Sequence, residues 1–168
     1  MTRLIPLFIV ALMGCRGAGA ETPPARSVHD AIRGASAIRL YEGLPHPGAE
    51  SELYDREKAK PHKTLQGEAF YEESIWLPPD DVAALSALLS ARSSLSAWSG
   101  EKKCGGFHSD YAIEVEKAGR AWRVFVCFGC GEAKVTGGDE SRHDLPTATE
   151  SALETLLKKH RKHRPVPK

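Results

Sequence analysis

The stretch Tyr111-Ala-Ile-Glu-Val-Glu-Lys-Ala-Gly-Arg-Ala-Trp-Arg-Val-Phe-Val-Cys127 decides the fold. Tyr111, Ile113 and Val115 recur at every second position, Lys117-Ala118-Gly119-Arg120 supplies a two-residue turn, and Trp122, Val124 and Val126 alternate on the way back. Period two on both sides of a glycine turn predicts a β-hairpin. Its register pairs Val115 with Trp122 and Ile113 with Val124 on one face, and sets Glu114 opposite Arg123 on the other. Helices are expected over the first face, which leaves Phe125 and Cys127 pointing to a second, less covered face. The chain then runs through Phe128-Gly129-Cys130-Gly131 into a short strand, Glu132 to Val135.

Helical periodicity flanks this hairpin. Pro78-Pro79-Asp80-Asp81 places proline and acids where a helix N-terminus favours them, and Val82, Leu85, Leu88 and Leu89 recur on one face. Near the C-terminus, Thr147 with Glu150 has the form of a capping box, and Leu153, Leu156 and Leu157 supply an apolar stripe. Towards the N-terminus, Ser27 with Asp30 starts a short helix that Gly34 ends, and Ala37 to Glu42 has strand character before Gly43-Leu44-Pro45-His46-Pro47 breaks it. Residues 49 to 60 read as a charged helical turn, and Leu65 to Trp76 as the next strand. Trp76, Trp98 and Trp122 are expected in the core or at its edge. The sum is an α+β domain with a mainly antiparallel sheet of about four to five strands and helices packed chiefly on one face.

The first residues give an address. Arg3 is a short positive region, Leu4 to Met13 is an apolar run too short to span a bilayer, and Leu12-Met13-Gly14-Cys15 has the form of a bacterial lipobox. Residues 1 to 14 therefore read as a signal peptide, with Cys15 the lipid attachment site. A competing small-residue site, Ala18-Gly19-Ala20, would discard Cys15, but export follows either way. Residues 15 to 26, with Pro23-Pro24, form the anchor and a flexible tether, 27 to 160 a single globular domain, and 161 to 168 a basic tail. The implied location is the cell envelope, and Arg16 after the anchor favours the outer membrane where a cell has one.

Composition narrows the partners. About 150 residues remain after the signal, enough for one core, and loss of Arg3 takes the formal charge of +1 to zero. That argues against nucleic acid and leaves the membrane, reached through the N-terminal lipid, as the one partner the sequence implies. Lys158, Lys159, Arg161, Lys162, Arg164 and Lys168 make the C-terminal end basic. Such a run can touch an anionic lipid surface, although the simpler expectation is a helix end complementing its dipole and a tail that frays into solvent.

The chemistry centres on cysteine. Asp110 falls opposite Cys127, so Cys104-Gly105-Gly106-Phe107-His108 enters the sheet beside the place where Cys127 and Cys130 leave it. Cys104, His108, Cys127 and Cys130 thus form a candidate cluster, and with Cys15 lipidated or removed the count of cysteines is odd. Three readings fit. One is a disulfide from Cys104 that ties the loop to the hairpin, with one thiol left over. Another is a metal site, with zinc held by three thiolates and the His108 imidazole. The last is a thiol-disulfide redox enzyme using the Cys127/Cys130 pair, although the thioredoxin setting of a helix N-terminus after a strand is missing.

Elsewhere the sequence carries no Gly-x-Ser-x-Gly elbow, P-loop, His-Glu-x-x-His helix or Rossmann fingerprint. His46 reads as a loop residue held by its prolines, and His143-Asp144 as a solvated loop pair. No residue is assigned a catalytic role, and the chain reads as a non-enzymatic binding or structural module more readily than as an enzyme. Tyr41-Glu42-Gly43-Leu44-Pro45-His46-Pro47, Cys104-Gly105-Gly106-Phe107-His108-Ser109-Asp110-Tyr111 and Cys127-Phe128-Gly129-Cys130-Gly131-Glu132 resemble segments of uncharacterised bacterial lipoproteins of about this length. The resemblance implies an envelope address and a recurrent cysteine and histidine cluster, and carries no catalytic residue with it.

Overall fold

In a computed structural model that describes residues 25–165, the chain runs α1 (Val28–Ile32), β1 (Arg39–Glu42), α2 (Ser51–Lys58), β2 (His62–Leu65), β3 (Glu68–Tyr71), β4 (Ile75–Trp76) and α3 (Pro79–Ser90). It continues through β5 (Ser96–Ala97), β6 (Tyr111–Lys117), β7 (Arg120–Cys127), β8 (Glu132–Thr136), β9 (Ser141–Asp144) and α4 (Thr147–Lys158). The signal, the lipobox and the tether as far as residue 24 lie outside the described residues, as do residues 166–168.

The β6–β7 hairpin forms in the register read from the sequence, with Val115 opposite Trp122, Ile113 opposite Val124 and Glu114 opposite Arg123. Ala118 and Gly119 close it with φ of 51° and 73°, the left-handed pair that a two-residue turn between twisted strands requires. Around it an antiparallel sheet of seven strands is ordered β4-β1-β6-β7-β8-β9-β5, larger than the four to five expected. The extra strands are short and polar. Ser141-Arg-His-Asp144 has no apolar alternation, so β9 is held by backbone pairing to β8 and carries no hydrophobic signature.

Residues 65–76 are three pieces and not one strand. Gln66 and Gly67, at φ of 49° and 84°, fold β2 back on β3 as a separate two-stranded sheet, and β4 then joins the edge of the main sheet. The small sheet also corrects the expectation for Phe125 and Cys127. Phe70 packs with Tyr41, Ala112 and Phe125 on the second face, and Phe125 and Cys127 are each only 1% exposed.

The first face carries the main core. Ile32 of α1, Val82, Leu85 and Leu89 of α3, and Leu153, Leu156 and Leu157 of α4 cover Ile113, Val115, Trp122, Val124 and Val126. Fully buried leucines of this kind contribute about 2 kcal/mol each. Ser27 caps α1 by accepting from the Asp30 N–H at 3.2 Å, as expected. The Thr147–Glu150 box does not form: α4 starts one residue earlier, with Pro146 at its N-cap, so Thr147 already lies inside the helix.

Two tryptophans depart from the core expectation. Trp76 is 58% exposed on the edge strand, with the Arg39 guanidinium stacked 4.3 Å from its ring, and Trp98 is 38% exposed while donating to Glu132 at 2.8 Å. Only Trp122 is buried. His143 and Asp144 are no loop pair either, because as neighbours in β9 they point to opposite faces. No helix among the described residues is long and apolar enough to cross a membrane.

Candidate functional site: the cysteine and histidine corner

The loop between β5 and β6 crosses the second face of the sheet and is fastened along its length. Asp144 accepts from the Ser99 N–H and pairs with Lys102, both at 3.1 Å. Farther on, Phe107 lies between the Lys134 ammonium at 4.1 Å and the Arg142 guanidinium at 5.6 Å. Arg142 also binds Glu132, a carboxylate with no exposure at all, through Nε at 3.1 Å and Nη2 at 2.6 Å.

Within that frame Cys104 and Cys130 form a disulfide, with Cα atoms 5.5 Å apart. Gly105 and Gly106 adopt φ of 84° and 98°, which lets the loop double back at the bridge. The loop ends on Asp110, whose N–H donates to the Val126 carbonyl at 2.8 Å and whose Oδ2 accepts the Phe128 N–H at 2.8 Å. The expected meeting of the Cys104 loop with the Cys127–Cys130 turn therefore occurs, and the first of the three cysteine readings describes it.

Among the described residues Cys127 is the remaining thiol, and it is buried. Burial pushes its pKa up, against a smaller downward pull from the His108 and Cys130 backbone N–H groups. A neutral, enclosed thiol is a weak nucleophile and a weak ligand. With Cys104 and Cys130 bonded to each other, the thiolate donors that zinc needs are not present, so the donor set does not fit zinc in this state. Among the described residues no group of three or more His, Cys, Asp and Glu side chains is placed to hold a metal ion.

The structure adds His46, which the sequence places no nearer to the cluster than any other loop histidine. Its ring meets His108 edge to face, centroids 5.0 Å apart, and a β-carbon on Gly105 would lie 3.5 Å from it. His46 Nδ1 accepts the Gly48 and Ala49 N–H groups at 2.9 and 3.0 Å, which puts the proton of the neutral ring on Nε2. His108 is 8% exposed; desolvation lowers its pKa, Asp110 opposes that, and Arg164 and His46 reinforce it. Its Nε2 is buried without a partner.

The basic tail closes the corner. Arg161–Pro165 does not fray: Arg164 Nη1 donates to Asp110 at 2.6 Å and Nη2 to Glu50, while the Lys162, His163 and Arg164 N–H groups converge on the Glu42 carboxylate. Sequence reasoning missed Glu42, Glu50 and Arg164 because their partners lie far along the chain, and only the pairing of His46 with Glu50 at helical spacing offered a local hint. No family model, curated protein or solved structure matches the chain.

Proposed function

We propose that this protein is an exported cell-envelope lipoprotein, tethered through Cys15, whose folded domain is a non-enzymatic binding or structural module. The observation that carries this reading is the Cys104–Cys130 disulfide, which fastens a long surface loop to the central hairpin. Such a bridge suits an oxidising compartment, in keeping with the export reading of Arg3 to Cys15. The corner it stabilises holds carboxylates paired with arginines and backbone N–H groups beside a buried, neutral thiol, an arrangement suited to rigidity and recognition. In a thiol-disulfide enzyme Cys127 would exchange with Cys130, and the burial and raised pKa of Cys127 count against that.

Metabolic labelling with a radioactive fatty acid tests the tether. Label in the wild-type chain and none in Cys15→Ser is the expected result; label persisting in the variant contradicts it. Metal analysis of protein recovered from its own compartment tests the domain reading. Stoichiometric zinc that is lost together with the fold in Cys130→Ser would replace the disulfide account with a metal centre.

A further inference from the structure

The β4 edge of the main sheet is open, and a groove runs along it. β4 pairs with β1 on one side, and among the described residues no strand pairs with its other side. The Leu77 N–H donates to the Ile38 carbonyl at 3.0 Å, directly across the continued register, so the alternation of an antiparallel ladder turns the Trp76 N–H and carbonyl outward. α4 ends beside this edge and passes into the strap Arg161–Pro165. His160 is held there by Asp81 of α3 at 2.8 Å, and the Lys162, His163 and Arg164 N–H groups form a nest around the Glu42 carboxylate. Both walls of the groove are thus fixed within the fold itself.

Between the walls lies a cavity of about 430 Å³, lined by Glu73 to Trp76 on one side and Lys159 to Lys162 on the other. Trp76, at 58%, is the most exposed of the large hydrophobic side chains among the described residues, and the Arg39 guanidinium lies 4.3 Å from its ring. Lys159, Arg161 and Lys162 set three cations in the lining against the one carboxylate of Glu73. Lys162 reaches Glu73 at 2.5 Å, but the two side chains are 52% and 57% exposed, and a surface pair of this kind exchanges partners at little cost. An open strand edge, an exposed indole and an excess of cations together suit an extended chain that carries carboxylates.

We propose that this groove docks an acidic, extended segment of a partner protein, added as a strand at the β4 edge. The segment's backbone bonds the outward Trp76 N–H and carbonyl, an apolar residue packs on the indole, and carboxylates meet Lys159 and Lys162. A flat bilayer would touch the rims of a concave groove and leave its floor empty, which favours a chain over a lipid surface. The proposal rests on the binding-module reading and names its partner class, and it needs neither export nor acylation. Stoichiometric zinc would overturn that reading without touching this groove, and failure of the groove would leave the envelope assignment standing.

The test uses the full chain and a fluorescein-labelled peptide, Thr-Glu-Val-Phe-Val-Glu-Thr with blocked ends, followed by anisotropy. Saturable binding is expected, with amide shifts at Ile75, Trp76 and Lys159 to Lys162 in the nuclear magnetic resonance spectrum. Replacing both peptide glutamates by lysine should weaken binding at least about tenfold, because like charges then face each other. Methylating the peptide's alternate backbone nitrogens, which blocks strand addition, should weaken it by about as much. Lys159→Gln/Lys162→Gln should melt like wild type and bind the acidic peptide less tightly; should it fail to fold, Trp76→Ala takes the same measurement. No saturable binding, equal affinity for the glutamate and lysine peptides, or undiminished binding of the methylated peptide would each overturn the proposal. Displacement of the peptide by phosphatidylglycerol vesicles and not by phosphatidylcholine vesicles would assign the groove to a lipid surface and overturn it as well.

Discussion

Asp110 and Phe128 are joined by a 2.8 Å hydrogen bond from the Phe128 N–H to the Asp110 carboxylate, across the point where the Cys104 loop enters the sheet and the Cys127 turn leaves it. That bond sets the loop and the turn in place independently of the sulfurs. The disulfide therefore fastens an arrangement the backbone already favours. The same carboxylate takes the Arg164 guanidinium on its other oxygen, so one side chain ties together the loop, the turn and the strap.

Removing the bridge should cost stability without erasing the fold. Cys104 and Cys130 are 26 residues apart, and closing a loop of that size stabilises by about 3.5 kcal/mol in the chain-entropy account. Cys104→Ser and Cys130→Ser are each expected to lose about that much in urea unfolding, and wild type with its bridge reduced should match them. A loss below about 1 kcal/mol would show that the bridge constrains little.

Glu132 offers a sharper test of the second face. It has no exposure, and its carboxylate depends on Arg142 and on the Trp98 indole N–H. Arg142→Ala leaves a buried charge without its cation and should destabilise by about 3 kcal/mol, more than Glu132→Gln, which removes the charge itself. Denaturant melts of the two variants decide the order.

Acid should loosen the strap. Burial alone would raise the pKa of Glu50, but the His46 N–H and Arg164 outweigh it, and the carboxyl titrates below its ordinary value of 4.5. A carboxylate with a depressed folded pKa stabilises above the unfolded value and loses that contribution as pH falls through the folded one. Stability should therefore fall below about pH 4.5, with the protection of the Lys162 to Arg164 amides, relative to their intrinsic exchange rate at each pH, lost first, and Glu50→Gln should show a flatter acid limb. An unchanged limb in Glu50→Gln would remove this carboxylate from the account.

Gly43 is required by contact and not by backbone angle. A β-carbon there would lie 1.8 Å from the Ser109 carbonyl oxygen, and the Gly43 N–H donates to the Asp110 carbonyl at 2.8 Å. Gly43→Ala must push β1 away from the start of β6, at a cost of about 3 kcal/mol. A thermal melt within a degree or two of wild type would contradict that.

The β6–β7 register is legible because two apolar stripes of period two flank a glycine turn, and the helices because their leucines recur on one face. The small strands are not. His62-Lys63-Thr64-Leu65 and Ser141-Arg142-His143-Asp144 owe their conformation to neighbours that pairing supplies, and nothing in their own composition marks them. In the site, the proximity of Cys104, His108, Cys127 and Cys130 is legible because all four sit within a few residues of one hairpin. Glu42 and Arg164 could not, since a nest closing over 122 residues leaves no local periodicity. His46 meets His108 for the same long-range reason, through the pairing of β1 with β6.

Non-reducing peptide mapping of the protein recovered from its own compartment tests the central claim most directly. The account predicts a Cys104–Cys130 linked peptide and a thiol at Cys127 that reacts with alkylating reagent only after unfolding. A Cys127–Cys130 linked peptide, or three free thiols accompanied by bound metal, would contradict it.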